Sequence, residues 1–257
     1  MAKIICIANQ KGGVGKTTTA VNLAASLAAA ERRTLLVDMD PQGNACTGVG
    51  VDKSTLEESI YDVLINGADP LGLITRTDLN HLHLLPATTD LAGAELELVE
   101  TPGREQRLKE ALTAVSANYD YILIDCPPSL GLLTVNAITA ADAVLIPLQC
   151  EFYAMEGLSQ ILHTIRLVQK GLNPNLKIEG ILLTMYDGRN NLSRQVSEEI
   201  RTHFKDLAFT TVIPRNIRLS EAPSHGRPII LYDITSRGAA SYMELAKELI
   251  GREVANG

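Results

Sequence analysis

Short apolar runs recur along the chain and alternate with longer segments in which apolar residues repeat at helical spacing. The runs are rich in Ile, Leu and Val, and each has the length of a buried strand. They lie at residues 3–8, 34–38, 81–87, 121–125, 143–148 and 178–185. Helical spacing is clearest at residues 17–30, 104–117, 131–140, 155–170 and 193–204. The alternation predicts a doubly wound α/β fold, with one mostly parallel sheet and helices on both faces.

This alternation continues along the chain without a change in composition. No internal repeat, low-complexity tract or long linker interrupts it, so we expect a single domain over residues 1–257. A chain of 257 residues is long enough to bury one sizeable core. Because the first strand begins at residue 3, we expect no helix-turn-helix before it.

Charge and cysteine usage narrow the class of protein. The formal net charge of -7 argues against a generally basic nucleic-acid binder, although a local basic face remains possible. The four cysteines form no C-x-x-C pair, which disfavours a disulfide framework or a thiolate metal site. No apolar run reaches transmembrane length. We therefore expect a soluble, cytoplasmic protein.

The strongest chemical signal is the segment KGGVGKTTT, residues 11–19, which follows the first strand and begins an Ala-rich helix. Glycines allow backbone N–H groups to approach phosphate oxygens at a helix N-terminus. Lys16 is expected to reach the β- and γ-phosphates, and the hydroxyl of Thr17 is expected to bind Mg²⁺. The predicted nucleotide-binding residues of this loop are Lys11, Gly12, Gly13, Val14, Gly15, Lys16, Thr17 and Thr18.

The loop departs from the usual P-loop consensus, because Gln10 occupies the position of its first glycine and a second lysine, Lys11, follows. The resulting KGGxGK[ST] pattern resembles the deviant-Walker ATPases, a family that includes ParA, MinD and the nitrogenase iron protein. In that family the extra lysine crosses a dimer interface to the phosphates of the other subunit. The resemblance implies a homodimer around two ATP molecules, with Lys11 and Lys16 as catalytic residues. From the residues alone, Lys11 could also be a solvated loop cation.

Three aspartates follow predicted strands and could surround a bound Mg-triphosphate. Asp38 and Asp40 lie two residues apart, so their side chains share a face. In the resembled family the second aspartate of this motif is tied to hydrolysis, which makes Asp40 the catalytic candidate. Asp125 ends the run YILID in the manner of a Walker B motif. Thr17, Asp38 and Asp125 are the candidate metal residues, with Asp38 in a structural or outer position; an ordinary turn before Pro41 is the alternative for the first pair.

The loop after Asp125 contains Pro127 and Pro128, which end the strand. A loop beside the γ-phosphate can convert hydrolysis into a change of shape. We interpret this segment as a switch loop. The neighbouring Cys126 is expected to be a small buried side chain rather than a cluster ligand.

The second half of the chain indicates a branch of the family. The segments at residues 148–160 and 212–229 resemble the small chromosomal partition ATPases of the ParA/Soj type. That resemblance implies that Pro214 and Asn216 contact the adenine, although Pro-Arg-Asn alone is also an ordinary turn. Residues 185–237 hold eight Lys or Arg against six Asp or Glu, a balance of +2 that a mixed solvated surface would also explain. The resemblance implies non-specific DNA binding through Arg189 and Arg218.

The resemblance also implies a ParB-type partner protein on centromere-like DNA, and association with the nucleoid. A MinD-like protein would instead hold a membrane through a basic amphipathic C-terminal helix. Residues 236–257 predict a helix whose polar side has mixed charges, which favours packing on the sheet and argues against a membrane partner. Another cargo-positioning ATPase and a non-catalytic ATP-binding regulator remain as alternatives.

Overall fold

The computed structural model describes residues 1–256, and its centre is one sheet of seven strands. The strands are β1 (Lys3–Ile7), β2 (Thr34–Asp38), β3 (Thr75–Arg76), β4 (Leu82–Leu85), β5 (Tyr121–Asp125), β6 (Ala143–Gln149) and β7 (Lys177–Thr184). Their order across the sheet is β3-β4-β2-β5-β1-β6-β7. Every pairing is parallel except that of the two-residue strand β3 with β4. The predicted doubly wound α/β fold is confirmed.

Twelve α-helices connect the strands within the described residues. They are α1 (Lys16–Ala29), α2 (Asn44–Gly48), α3 (Ile60–Ile65), α4 (Pro70–Leu73), α5 (Leu91–Glu97), α6 (Arg107–Val115), α7 (Leu132–Ala140), α8 (Ala154–Gly171), α9 (Asn191–His203), α10 (Ile217–Glu221), α11 (Ile229–Tyr232) and α12 (Arg237–Asn256). The longer ones match the segments of helical spacing. Strand β3 and the short helices are absent from the sequence prediction, because segments of two to seven residues contain too few periods to give a pattern.

The two faces of the sheet bury separate apolar clusters, as expected for a sheet covered on both sides. One cluster joins alternate residues of the central strands, such as Cys6 and Ile124, to α5, α6, α7 and α8. The other joins Ile5, Ile7 and Leu123 to α1 and α12. Both clusters end at the carboxyl ends of the strands, where polar residues begin.

Helix α12 packs on α1 and fixes the helix that begins at the glycine loop. Its Tyr242, Leu245 and Leu249 are buried, so the predicted apolar face contacts the protein core. The hydroxyl groups of Tyr242 and Thr19 lie 3.2 Å apart and share a hydrogen bond. No helix in the described part of the chain is long and apolar enough to cross a membrane.

Candidate nucleotide site

The glycine loop lies at the carboxyl end of β1, in the position where open α/β sheets bind ligands. Gly13 and Gly15 have φ of 76° and 86°, a left-handed conformation that side chains strongly disfavour. Gly15 precedes α1, and no side chain caps this helix and no acidic residue occupies its first turn. The N-terminus of α1 is therefore suited to an anion. Thr184 supports the loop by donating its hydroxyl proton to the carbonyl of Val14 at 2.8 Å.

Lys16 points inward at the first position of α1 and is only 6% exposed. Its ammonium group donates to the carbonyl of Lys11 at 3.2 Å, so it folds back over the loop. Burial lowers the pKa of Lys16, and the negative charges of Asp125 and Asp40 oppose that shift. The loop thus holds a buried ammonium group next to two carboxylates.

Lys11 lies on the outer side of the same loop and forms an ion pair with Glu151, at 2.9 Å from Nζ to Oε2. The backbone N–H of Lys11 donates to Asn9 Oδ1, and the Asn9 amide donates to the carbonyl of Pro147. Glu151 also accepts a hydrogen bond from Gln149 at the end of β6. The chain therefore holds Lys11 against its own β6–α8 loop.

Asp38 ends β2 and is fully buried, with each carboxylate oxygen engaged by the adjoining loop. Oδ1 accepts the backbone N–H of Asp40, and Oδ2 accepts the backbone N–H and the thiol of Cys46. Burial raises the pKa of Asp38 to about 6, although these hydrogen bonds oppose the shift. Asp38 therefore orders the loop that leads into α2.

Asp40 lies at the start of a turn and is largely buried. Its Oδ1 accepts the backbone N–H of Gln42, and its carbonyl accepts that of Gly43. The turn that the sequence offered as an ordinary explanation is present. It does not remove the carboxylate from the site, because the charge of Asp40 still acts on Lys16.

Asp125 ends β5 and pairs in register with Asp38 on β2 and with Ile7 on β1. It is completely buried, and within residues 1–256 neither carboxylate oxygen accepts a hydrogen bond of good geometry, although the Thr17 hydroxyl is near enough to favour its ionised form. Burial raises its pKa well above the usual range and the charge of Asp38 adds to this, whereas Thr17 and Lys16 favour the ionised form. A buried carboxylate without partners is costly in the absence of a ligand. This arrangement is suited to a hydrated divalent cation near Thr17.

A cavity of about 310 Å³ adjoins the loop on the side of β7. Its lining includes Gly15 and Thr18 of the loop and Pro214 and Asn216, which the sequence analysis proposed as adenine contacts. The structure thus brings segments about 200 residues apart together. Asn216 also caps α10, because its Oδ1 accepts the backbone N–H of Arg218 at 2.8 Å.

The two candidate DNA-binding arginines lie outside the loop and form ion pairs at the surface. Arg189 has a side chain that is 92% exposed and pairs with Asp187 at 3.0 Å. Arg218 pairs with Glu221 at 2.8 Å and with Asp233 at 3.5 Å. Exposed pairs of this kind are weak, so both guanidinium groups remain accessible to other anions.

Sequence reasoning did not identify Glu151 and Thr184 as parts of the site. They contact the loop from positions 140 and 170 residues away. Glu151 follows a strand and could have been noticed as an acidic residue at the same edge of the sheet. No motif singles out Thr184.

A glycine loop at the carboxyl edge of a parallel sheet, with buried aspartates on two neighbouring strands, defines a P-loop nucleoside triphosphatase. The family model for an AAA domain matches residues 2–178. The chain is 63% identical to the sporulation initiation inhibitor protein Soj of Bacillus subtilis, over 97% of this chain and 98% of that protein. It is 62% identical to the chromosome partitioning protein ParA of Myxococcus xanthus, over 98% and 89% of the two chains. The chain belongs to the ParA/Soj family of chromosome-partitioning ATPases.

Solved structures share the fold and the nucleotide-binding class. The cobyrinic acid a,c-diamide synthase of Mycobacterium smegmatis, with bound ADP and magnesium, is 41% identical at a TM-score of 0.87 and covers 100% of this chain and 97% of its own. The cell division ATPase MinD of Pyrococcus furiosus is 27% identical at a TM-score of 0.82, with 98% and 100% covered. The fold and the enzyme class predicted from sequence are confirmed.

Proposed function

We propose that this ATPase is an ATP-dependent switch for DNA partition. In this proposal an ATP-bound homodimer binds duplex DNA without sequence preference and releases it after hydrolysis. The observation that carries the proposal is the geometry of the glycine loop, which touches a cavity formed by the same segment that leads to the exposed Arg218. The near full-length similarity to Soj and ParA supports partition as the purpose of the switch.

ATP and Mg²⁺ suit the residues of the site. The loop from Lys11 to Thr18 surrounds the triphosphate position, and the cavity lined by Pro214 and Asn216 takes the base. Asp125 and Thr17 would hold a hydrated Mg²⁺, with Asp38 behind them because its oxygens are already engaged. When bound, the cation would neutralise charge on the phosphates.

Hydrolysis is an in-line attack of water on the γ-phosphorus. Asp40 orients the attacking water, and Lys16 stabilises the negative charge that develops on the phosphate oxygens. The switch loop at residues 126–131 lies next to the glycine loop, because a Cβ on Gly12 would be 3.8 Å from Cβ of Pro128. Loss of the γ-phosphate can therefore be transmitted to α7.

Lys11 completes the site of a second subunit in the proposed homodimer. Its ammonium group is partly exposed and is held by Glu151 through a single ion pair. Exchange of that carboxylate for phosphate oxygens of the partner subunit's nucleotide requires the loss of only one weak contact. This exchange makes dimer formation depend on ATP.

Arg189 and Arg218 supply phosphate contacts to DNA, so binding is electrostatic and weakens with salt. The partner that stimulates hydrolysis is a ParB-type protein bound near the cargo, which places the ATPase on the nucleoid. A place on the chromosome is supported by the relatives named as chromosome partitioning proteins.

The experiment that tests the proposal is binding to an arbitrary duplex with ATP, with ADP and without nucleotide, at two salt concentrations. We expect binding that requires ATP, weakens with salt and is lost in Arg218→Glu. Absence of DNA binding in every nucleotide state would exclude the proposal. Anionic liposomes in the same assay test the MinD-like alternative, and a turnover abolished by Asp40→Ala excludes the non-catalytic regulator.

A further inference from the structure

Three arginines lie around the end of β7 and the start of α10, and their guanidinium groups have different surroundings. Arg189 is bound by Asp187, and Arg218 is bound by Glu221 and Asp233. Arg215 is exposed, and in the described chain no carboxylate oxygen lies within 4 Å of its guanidinium nitrogens. Arg215 is therefore the arginine of this group whose charge is not locally neutralised.

The backbone of Arg215 is held firmly although its side chain is exposed. Tyr186 donates its backbone N–H to the carbonyl of Ile213 at 3.0 Å, and Arg215 donates its own to the carbonyl of Tyr186 at 3.2 Å. These two bonds fix the segment alongside the end of β7. A charged side chain on a fixed backbone loses less conformational entropy when it binds than one on a mobile loop.

Arg189 binds Asp187 directly, and the charge of the more distant Arg215 also acts on that carboxylate. The Arg189 guanidinium donates two hydrogen bonds to Asp187, both at 3.0 Å. These bonds lower the pKa of Asp187 to about 2, and the charge of Arg215 contributes to the shift. Asp187 is thus engaged by Arg189, and Arg215 adds a positive charge that no carboxylate pairs with in the described chain, which leaves a net positive charge at this place on the surface.

Arg215 itself lines the base cavity, as do its neighbours Pro214 and Asn216 and Thr18 near the start of α1. Two residues further on, Ile217 is 75% exposed. A base in the cavity would rest on residues 214–216 and restrict their motion. The surface carrying Arg215 is thereby connected to the state of the nucleotide site.

We propose that Arg215 contacts a phosphate of duplex DNA in the nucleotide-bound form, and that the base cavity sets the position of this contact. The inference rests on the proposed function and adds a residue to its DNA surface. It also gives a physical route by which nucleotide binding and DNA binding favour each other, since both act on residues 214–216.

The first test measures DNA affinity against salt at a saturating concentration of a non-hydrolysable ATP analogue with Mg²⁺. We expect Arg215→Gln to weaken binding about tenfold, and to make the negative slope of log affinity against log salt shallower by about 1 per lost phosphate contact. Arg215→Lys should restore most of the affinity. Arg32→Gln is the matched control, because Arg32 is exposed in the loop between α1 and β2. This loop lies where the strands begin, at the opposite end of the sheet from Arg215.

An unchanged salt slope in Arg215→Gln, while the wild type binds DNA, would overturn the inference and leave the proposed function intact. Equal weakening in Arg32→Gln would also overturn it, because the effect would then come from net charge. If the wild type binds no DNA in any nucleotide state, the proposed function fails and the inference fails with it.

The second test uses reciprocity between the two ligands. A fluorescent ATP analogue is titrated with and without saturating DNA. We expect DNA to tighten nucleotide binding in the wild type, and to tighten it several-fold less in Arg215→Gln. Equal tightening in both proteins would show that Arg215 does not connect the two sites.

Discussion

Charged side chains have different surroundings at the two ends of the parallel strands, which we call the amino edge and the carboxyl edge. At the amino edge, where the strands begin, Lys3 pairs with Glu179 at 2.8 Å and with Glu253 at 3.1 Å. Arg33 pairs with Asp120 at 2.8 Å. At the carboxyl edge, both oxygens of the buried Asp125 lack a hydrogen bond and an ion pair within the described residues. At the amino edge the buried Oε1 of Glu253 also lacks a hydrogen bond, but the ammonium group of Lys3 lies 3.1 Å from it. The charges of the amino edge are therefore paired, whereas that of Asp125 is not.

Cavity volume alone would have placed the functional site at the wrong end of the strands. The amino edge has a cavity of about 1260 Å³, roughly four times the 310 Å³ of the cavity beside the glycine loop. Its lining is rich in charged side chains, and Lys3 pairs there with Glu179 and Arg252 with Glu248. Unsatisfied buried groups therefore locate the functional edge better than volume does.

The largest expected effect comes from removing charge at the carboxyl edge. Lys16→Ala should lower ATP turnover on the order of 100-fold or more, because a buried ammonium group no longer stabilises the negative charge that develops on the phosphate oxygens. Asp40→Ala should have an effect of similar size, because no carboxylate then orients the attacking water. Phosphate release under saturating Mg-ATP measures both.

The control removes the same charge from the amino edge. Lys3→Met should keep turnover within about twofold of the wild type, since no step of the reaction uses that edge. Comparable losses at both edges would mean that the two regions do not differ as described.

A second effect concerns stability. Asp125→Asn should stabilise the ligand-free protein by about 1 kcal/mol, because it removes a buried carboxylate that has no partner. The same change should abolish most of the stabilisation that Mg-ATP gives the wild type. Calorimetric melting with EDTA and then with Mg-ATP separates the two effects. A lower melting temperature in EDTA would show that the carboxylate is satisfied without ligand.

A smaller effect, on dimer association, is expected from breaking the ion pair between Lys11 and Glu151 at the carboxyl edge. Glu151→Gln should release Lys11 and raise the ATP-dependent dimer association constant up to about fivefold, as expected for one exposed ion pair. Sedimentation velocity with a non-hydrolysable analogue measures it. Glu156→Gln, an exposed change on α8, serves as the matched control. Weaker association in Glu151→Gln would mean that Glu151 supports the dimer.

The smallest effect, on stability, is expected from removing the ion pairs of one lysine at the amino edge. Lys3→Met should destabilise the protein by about 0.5–1 kcal/mol, because Lys3 pairs with two partly buried carboxylates. Urea unfolding followed by circular dichroism should show a lower midpoint with an unchanged slope. A loss above about 3 kcal/mol would show that the amino edge is a buried charge network.

The sequence by itself determined the sheet, its parallel strands and the residues of the glycine loop. Apolar periodicity is a local property, so six of the seven strands were visible as runs of residues. A phosphate-binding loop is also a local structure, because the N–H groups of consecutive residues form it. A short sequence motif is therefore enough to identify it. The same holds for Asp38 and Asp125, which end their strands, and for Asp40, which follows β2 by two residues.

Only the tertiary structure decided how these residues are paired. It showed that Asp38 is engaged by its own loop, that Asp125 is not, and that Glu151 holds Lys11 from 140 residues away. It also separated Arg215 from the two arginines that are already neutralised. Ion pairs and unsatisfied groups depend on distances between remote segments, and such distances leave no periodic pattern in the order of residues.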